Sequence, residues 1–301
     1  MEAIIVLVGF LGAGKTTLLR KLLEQLLKDK WDAKVILNDY ENATLDAQRF
    51  QDLIESSQIE GMSGSCICCS GLAELRTSLN DTKPRERGIT LIEANGTTDA
   101  CSLMEFMGVG LKEHFLPPTQ ISVVDVKHWQ KRGEHNDLER KQIQVSSLVV
   151  LTHLEAVSEE RICEVKNDIK EANKFAKIMS FDELQYKEIL GLSANDAEYE
   201  KLDHKKAHWA SCSISLPEQM SSLHLQKFLD RLPEGIIRIK GATKLDEDDH
   251  YSYFQKTPHN EATVRPFHGK LISGPTLLLI GPGSDPKSIE ALFKETMLEL
   301  N

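Results

Sequence analysis

The chain has 301 residues, 41% of them apolar and 27% charged, and a formal net charge of -10. That length buries a sizeable core without covalent staples and suits two domains, while the acidic balance argues against nucleic acid or an anionic membrane as a general partner. No apolar run is long enough to span a bilayer, and the first strand starts so early that no signal peptide is expected. A reducing, cytoplasmic setting follows, in which the six cysteines act as thiols or metal ligands rather than as a disulfide framework.

In chain order, Ala3 to Val8 reads as a buried strand and Leu18 to Leu23 as helix. Between them Gly9-Phe10-Leu11-Gly12-Ala13-Gly14-Lys15-Thr16 matches the phosphate-loop pattern G-x-x-x-x-G-K-[ST] at every position. Strand, glycine loop and helix N-terminus make an anion site, because backbone N–H groups converge on phosphate and the helix dipole adds positive potential. Lys15 is expected to reach the β- and γ-phosphates and Thr16 to ligate Mg²⁺. Further buried strands are expected at 33–37, 88–92, 120–124 and 147–151, with a helix from Glu159 to Asn173. Short apolar strands alternating with helices imply a mostly parallel sheet covered on both faces, with ligands beyond the carboxyl ends of the strands.

From about Ala210 the texture changes. Ser211 to Leu216 alternates like a half-exposed strand, a helix follows near Ser222 to Arg231, and strands are expected at 235–241 and 275–281 before a last helix from Asp285 to Leu300. This pattern predicts a smaller α+β domain at 210–301 after an α/β P-loop domain at 1–205. The acidic run Asp246-Glu247-Asp248-Asp249 reads as a solvated turn.

The second strong motif is Cys66-Ile67-Cys68-Cys69, in a Gly/Ser-rich segment. Thiolates bind soft or borderline metals, and Zn²⁺ takes them readily. No second C-x-x-C exists elsewhere in the chain, so paired knuckles cannot build a closed four-ligand site. Three thiolates with an open position suit transient metal holding. A ligand from a neighbouring subunit, and with it a homodimer, is the other solution. Zn²⁺ is the expected metal, with Co²⁺ or Fe²⁺ as alternatives.

A strand followed by GFLGAGKTT, then C-x-C-C about fifty residues on, resembles the CobW-type P-loop GTPases, a family of metallochaperones and metal-insertion factors. Asn38-Asp39-Tyr40 with Asp46 resembles its N-E-F-G-E…D stretch. Ile92-Glu93-Ala94-Asn95-Gly96 resembles its E-x-x-G segment, Val123-Val124-Asp125 the next strand end, and Arg238-Ile239-Lys240-Gly241 the opening of its C-terminal domain. The resemblance implies that Gly9, Gly12, Ala13, Gly14, Lys15, Thr16 and Thr17 hold the nucleotide phosphates. By the same resemblance Gly96 offers an N–H to the γ-phosphate, Glu93 sits near Mg²⁺ or its water, and Asp46 contacts Mg²⁺ or positions the attacking water. Cys66, Cys68 and Cys69, with Asp39 or Glu41, would hold the cargo metal for a client metalloprotein.

The family reads guanine through N-K-x-D or T-K-x-D. This chain has Thr152-His153-Leu154-Glu155, which lengthens the carboxylate and exchanges the lysine stem for a ring. GTP/GDP is the expected ligand and ATP remains an alternative. Ser193 and Ala194, in Gly191-Leu192-Ser193-Ala194-Asn195, resemble the segment that completes base recognition. There is no histidine tract. His204 and His208 read as a solvated helix face, while His250, His259 and His268 fall in a stretch read as loop-rich, with secondary metal ligation as the sharper alternative. A small-metabolite phosphotransferase and a non-hydrolysing binding module are the competing functions.

Overall fold

The computed structural model describes residues 1–38, 50–62, 71–155, 157–191, 211–236, 238–246, 248–257, 260–267, 271, 274–281 and 283–299. Its first layer is a parallel sheet of seven strands: β1 (Ala3–Val8), β2 (Asp32–Asn38), β3 (Ile59–Met62), β4 (Gly88–Glu93), β5 (Thr119–Asp125), β6 (Leu148–Thr152) and β7 (Lys177–Ser180). They lie in the order β3-β2-β4-β1-β5-β6-β7. β1 is buried along its whole length, as a strand covered on both faces must be.

The helices between the strands are α1 (Lys15–Lys28), α2 (Gly71–Asp81), α3 (Ala100–Met107), α4 (Asn136–Gln144), α5 (Glu159–Ala172) and α6 (Tyr186–Leu190). Leu18, Leu19, Leu22, Leu23 and Leu26 form the apolar stripe of α1 and pack on one face of the sheet. Leu75 and Leu79 of α2 and Leu103, Met104 and Met107 of α3 cover the other. Two helix starts are fixed by side chains: Asp99 accepts from the Ser102 N–H at 3.1 Å, and Ser158 from the Arg161 N–H at 3.3 Å.

The second layer is an antiparallel sheet ordered β12-β11-β10-β13-β8, formed by β8 (Ser211–Ser215), β10 (Arg238–Leu245), β11 (Tyr251–Thr257), β12 (Asn260–Phe267) and β13 (Thr276–Ile280). A two-residue strand β9 (Gln219–Met220) runs parallel to β10. Helices α7 (Ser222–Asp230) and α8 (Pro286–Leu298) cover one face through Leu225, Phe228 and Ile289. Leu278 and Ile280 on the opposite face join the apolar cluster of α3, so the two sheets share a core contact.

The five strands expected in the first sheet lie within a residue of their observed bounds. β3 and β7 were not expected. Each is four residues long and too short for a periodic signal. The stretch read as loop-rich around His250 to His268 instead forms β11 and β12, with His250 just ahead of β11. The alternation of Tyr251, Tyr253 and Gln255 with Ser252 and Phe254 has mixed chemistry on both faces, which hides the period. Between β10 and β11, Asp246 is left-handed at φ 53° and accepts the Ser222 N–H at 2.9 Å.

Candidate nucleotide site

Five strands of the parallel sheet end on one edge with Asn38, Glu93, Asp125, Thr152 and Ser180. The loop from Gly9 to Gly14 lies over that edge and runs straight into α1, where Gly14 is the N-cap in a left-handed conformation. Ala13 N–H donates to the Phe10 carbonyl at 3.1 Å, which closes the loop on itself. Lys15 is buried, and its Nζ donates to the Gly9 carbonyl at 2.9 Å and the Phe10 carbonyl at 3.3 Å. The ammonium is therefore held inside the curve of the loop.

A cavity of about 360 Å³ opens at this point, lined among others by Gly12, Gly14, Lys15, Thr16, Glu93 and Gly96. The Thr16 hydroxyl donates to Glu93 Oε1 at 2.8 Å, although the two residues are 77 positions apart in sequence. This hydroxyl–carboxylate pair is a set of hard oxygen donors, the chemistry that suits Mg²⁺. Gly96 approaches the loop so closely that an added Cβ would lie 2.7 Å from the Leu11 nitrogen. Gln142 of α4 fixes that approach from behind, its Nε2 donating to the Gly96 and Thr98 carbonyls at 3.1 Å each.

A second cavity of about 190 Å³ adjoins the first and shares Gly14, Thr17 and His153 with it. Its remaining wall is Thr152, Leu154, Glu155, Phe181 and Asp182, with Leu151 at the base. Thr152 Oγ1 lies 2.7 Å from the Ala13 carbonyl and 3.1 Å from the Val124 carbonyl, tying β6 to the loop. Thr152→Val keeps the shape and removes the donor. It should lower stability by about 1 kcal/mol, measured by urea unfolding. His153 stands at φ 54°, and its Nε2 lies 3.1 Å from the Gly12 carbonyl.

Behind the loop, the Arg132 guanidinium lies 5.0 Å from the centre of the Phe10 ring, and the His135 ring meets the same phenyl at 5.4 Å between centres, tilted by 37°. Arg132 is itself held by Asp125 at 3.2 Å and Glu139 at 3.4 Å. Burial pushes the Asp125 carboxyl up, but hydrogen bonds from the His128 ring and N–H outweigh it and hold the group below the usual carboxylate range.

Of the residues expected from sequence, Gly12, Gly14, Lys15, Thr16, Thr17, Glu93, Gly96, Thr152, His153 and Glu155 line the two joined cavities. Gly9 and Ala13 supply backbone to the loop. Asp39, Glu41, Asp46, Cys66, Cys68, Cys69, Ser193, Ala194, His204, His208, His259 and His268 lie outside the described residues. Among the described residues, no group of three or more His, Cys, Asp or Glu side chains is arranged to hold a metal. Cys101 is half-buried, Cys163 exposed and Cys212 buried, where burial pushes its thiol pKa up. No described helix is long and apolar enough to cross a membrane. Sequence reasoning missed Phe181 and Asp182, because the strand that presents them is short, and Arg132 and Gln142, because only the fold brings them to the loop.

The parallel sheet, the glycine loop at its carboxyl edge and the helix that follows define a P-loop nucleotide-binding α/β protein. The nucleotide-binding domain model of CobW/HypB/UreG matches residues 3–180, and the C-terminal domain model of the cobalamin synthesis protein cobW matches residues 209–297. The chain belongs to the CobW/HypB/UreG family. It is 29% identical over 165 residues to the zinc chaperone YjiA of Escherichia coli (strain K12), which covers 52% of this chain and 51% of that protein. It is 25% identical over 212 residues to the zinc-regulated GTPase metalloprotein activator 1 of Dictyostelium discoideum, covering 58% of this chain and 44% of that protein. The chain thus spans about half the length of the curated relatives it matches. The crystal structure of Zn(II)-bound YjiA GTPase from E. coli aligns over 98% of each chain at 16% identity, with a TM-score of 0.45.

Proposed function

We propose that the chain is a GTP-hydrolysing metallochaperone, in which the nucleotide cycle drives loading and delivery of Zn²⁺ or a similar transition metal to a client metalloprotein. One observation carries the nucleotide half of this reading: Lys15 and the Thr16–Glu93 pair line one cavity that shares Gly14, Thr17 and His153 with a second one walled by Glu155. The first has the chemistry for a triphosphate and the second for a base. Similarity to a zinc chaperone and to a zinc-regulated GTPase metalloprotein activator supports the metal half.

In this mechanism the phosphates enter the curve of the loop and exchange the Lys15 ammonium away from the Gly9 and Phe10 carbonyls onto phosphate oxygens. Thr16 and Glu93 would hold Mg²⁺, which when bound would supply positive charge to the phosphate site. The Gly96 N–H meets the γ-phosphate, and Gln142 braces that segment. Asp46 orients the attacking water for in-line displacement. Catalysis is by position and charge, as is general for phosphoryl transfer. Cys66, Cys68 and Cys69, with Asp39 or Glu41, are the ligands proposed for the cargo.

Glu155 reads the base by accepting from its N–H edge, with Phe181 lining the same cavity, and the family resemblance adds Ser193 and Ala194 to base recognition. Glu155→Ala should reduce the preference for GTP over ATP by roughly ten- to a hundred-fold, the worth of one bidentate polar contact. An unchanged GTP/ATP ratio of kcat/KM would remove Glu155 from base recognition. The coupling is tested by competition for Zn²⁺ with a chromogenic chelator: affinity should differ between GTP-loaded and GDP-loaded protein, and equal affinities exclude a nucleotide-driven metal cycle.

A further inference from the structure

The two faces of the C-terminal sheet are unlike. One carries Ile239, Leu245 and Phe254 into the apolar cluster beneath α7 and α8. On the other, strand register sets Lys240, Ala242 and Lys244 of β10 beside Gln255, Tyr253 and Tyr251 of β11. These in turn stand beside Thr263, Arg265 and Phe267 of β12. These nine positions hold three cations, three aromatic rings and no carboxylate, in a chain of net charge -10. The Lys244 ammonium lies 5.7 Å from the Tyr251 ring centre, and the Arg265 guanidinium 4.8 Å from that of Tyr253. Among the described residues, Glu105 of α3 pairs with Lys240 at the rim, and Glu218 accepts from the Tyr251 hydroxyl at 2.5 Å.

α3 covers the β13 side of this face and stops there. Where it stops, a cavity of about 400 Å³ opens, lined by Glu105, Val109, Ala242, Tyr253, Phe267 and Leu278. β12 is the edge of the sheet, and Val264 and Arg265 on it are exposed.

We propose that this face binds an acidic, extended segment of a partner protein, with one apolar side chain seated in the cavity and carboxylates over Lys244 and Arg265. Charge complementarity is the ground for it. An extended peptide sends every second side chain to one side, so one strand of it laid across β10 to β12 can turn its carboxylates toward Lys244 and Arg265. Single-stranded nucleic acid is the less suited occupant. Both tyrosine rings already carry a cation, which a stacking base must displace and a carboxylate need not. The partner's identity as the client rests on the metallochaperone reading; the surface itself does not.

The test uses the full chain without nucleotide or metal, so its failure is separate from failure of that reading. Fluorescence anisotropy is followed with a short peptide alternating Glu and Val, with the same peptide carrying Lys for Glu, and with a single-stranded RNA. The Glu peptide should bind saturably and the Lys peptide should not. The double reversal Lys244→Glu with Arg265→Glu should weaken binding about ten-fold or more, and added salt should do the same. Phosphate release and circular dichroism should stay as in wild type. Lys256→Glu, whose strand position faces the α7 side, should bind as wild type does. Equal binding of the two peptides, no saturable binding of the Glu peptide, equal weakening by Lys256→Glu, or RNA binding lost in the double reversal would each overturn the proposal.

Discussion

Replacing Lys15 by Ala should lower kcat/KM for GTP hydrolysis by about 10²–10³-fold, the scale of losing one preorganised charge partner of the transition state. The side chain is buried against the Gly9 and Phe10 carbonyls, so before nucleotide arrives it holds the loop curved around an ammonium. In the proposed mechanism the same ammonium then neutralises phosphate charge. Removing it therefore acts chiefly on the phosphates. The melting temperature without nucleotide should barely move, because the cost of burying the ammonium is removed together with its hydrogen bonds, those to the Gly9 and Phe10 carbonyls among them. Arginine should not rescue activity, since a planar fork cannot occupy the space of a compact point charge. Phosphate release assayed beside thermal unfolding checks both halves. Full hydrolysis by Lys15→Ala would remove this loop from the mechanism.

Replacing Gly9 by Ala should cost about 3 kcal/mol of stability and abolish nucleotide binding. Gly9 stands at φ 147°, and an added Cβ would lie 2.4 Å from the Val123 carbonyl oxygen and 3.2 Å from its carbon. Both are backbone atoms of β5, held by the sheet, so the loop must lift away. Lifting moves one of the two carbonyls that fix Lys15. Gly12→Ala is the control. It has a comparable need for positive φ, at 75°, but nothing within 4 Å of its Cβ. It should lose only the backbone strain, about 1 kcal/mol. Urea unfolding and nucleotide titration of the two variants separate steric displacement from conformational strain. Equal losses would mean that contact with β5 is not what holds the loop.

The central strands and the loop were readable in the chain because their signals are local and agree: a continuous apolar run, glycines where φ must be positive, and a leucine stripe at helical spacing. Glu93 and Gly96 were readable only through the family pattern, since nothing in Ile92-Glu93-Ala94-Asn95-Gly96 indicates that its carboxylate meets a hydroxyl from the start of α1. β11 and β12 were read as loop, because a sheet with one face on helices and the other rich in Lys, Arg and Tyr gives no clean alternation of apolar with polar. Phe181 and Asp182 escaped for a related reason: β7 is an edge strand of four residues, and its pattern carries no period.

What the sequence by itself determined is the phosphate chemistry. Gly9 to Thr16 carry, side by side in the chain, the glycines, the lysine and the helix start that the proposed phosphate site needs. The tertiary structure decided what stands around that loop. It joined Thr16 to Glu93, set Gln142 behind Gly96 and Arg132 behind Phe10, and built the second cavity from the ends of β6 and β7. It also turned a stretch with no visible period into a cationic, aromatic sheet face. These are contacts between residues far apart in sequence, and only strand order and register bring them together.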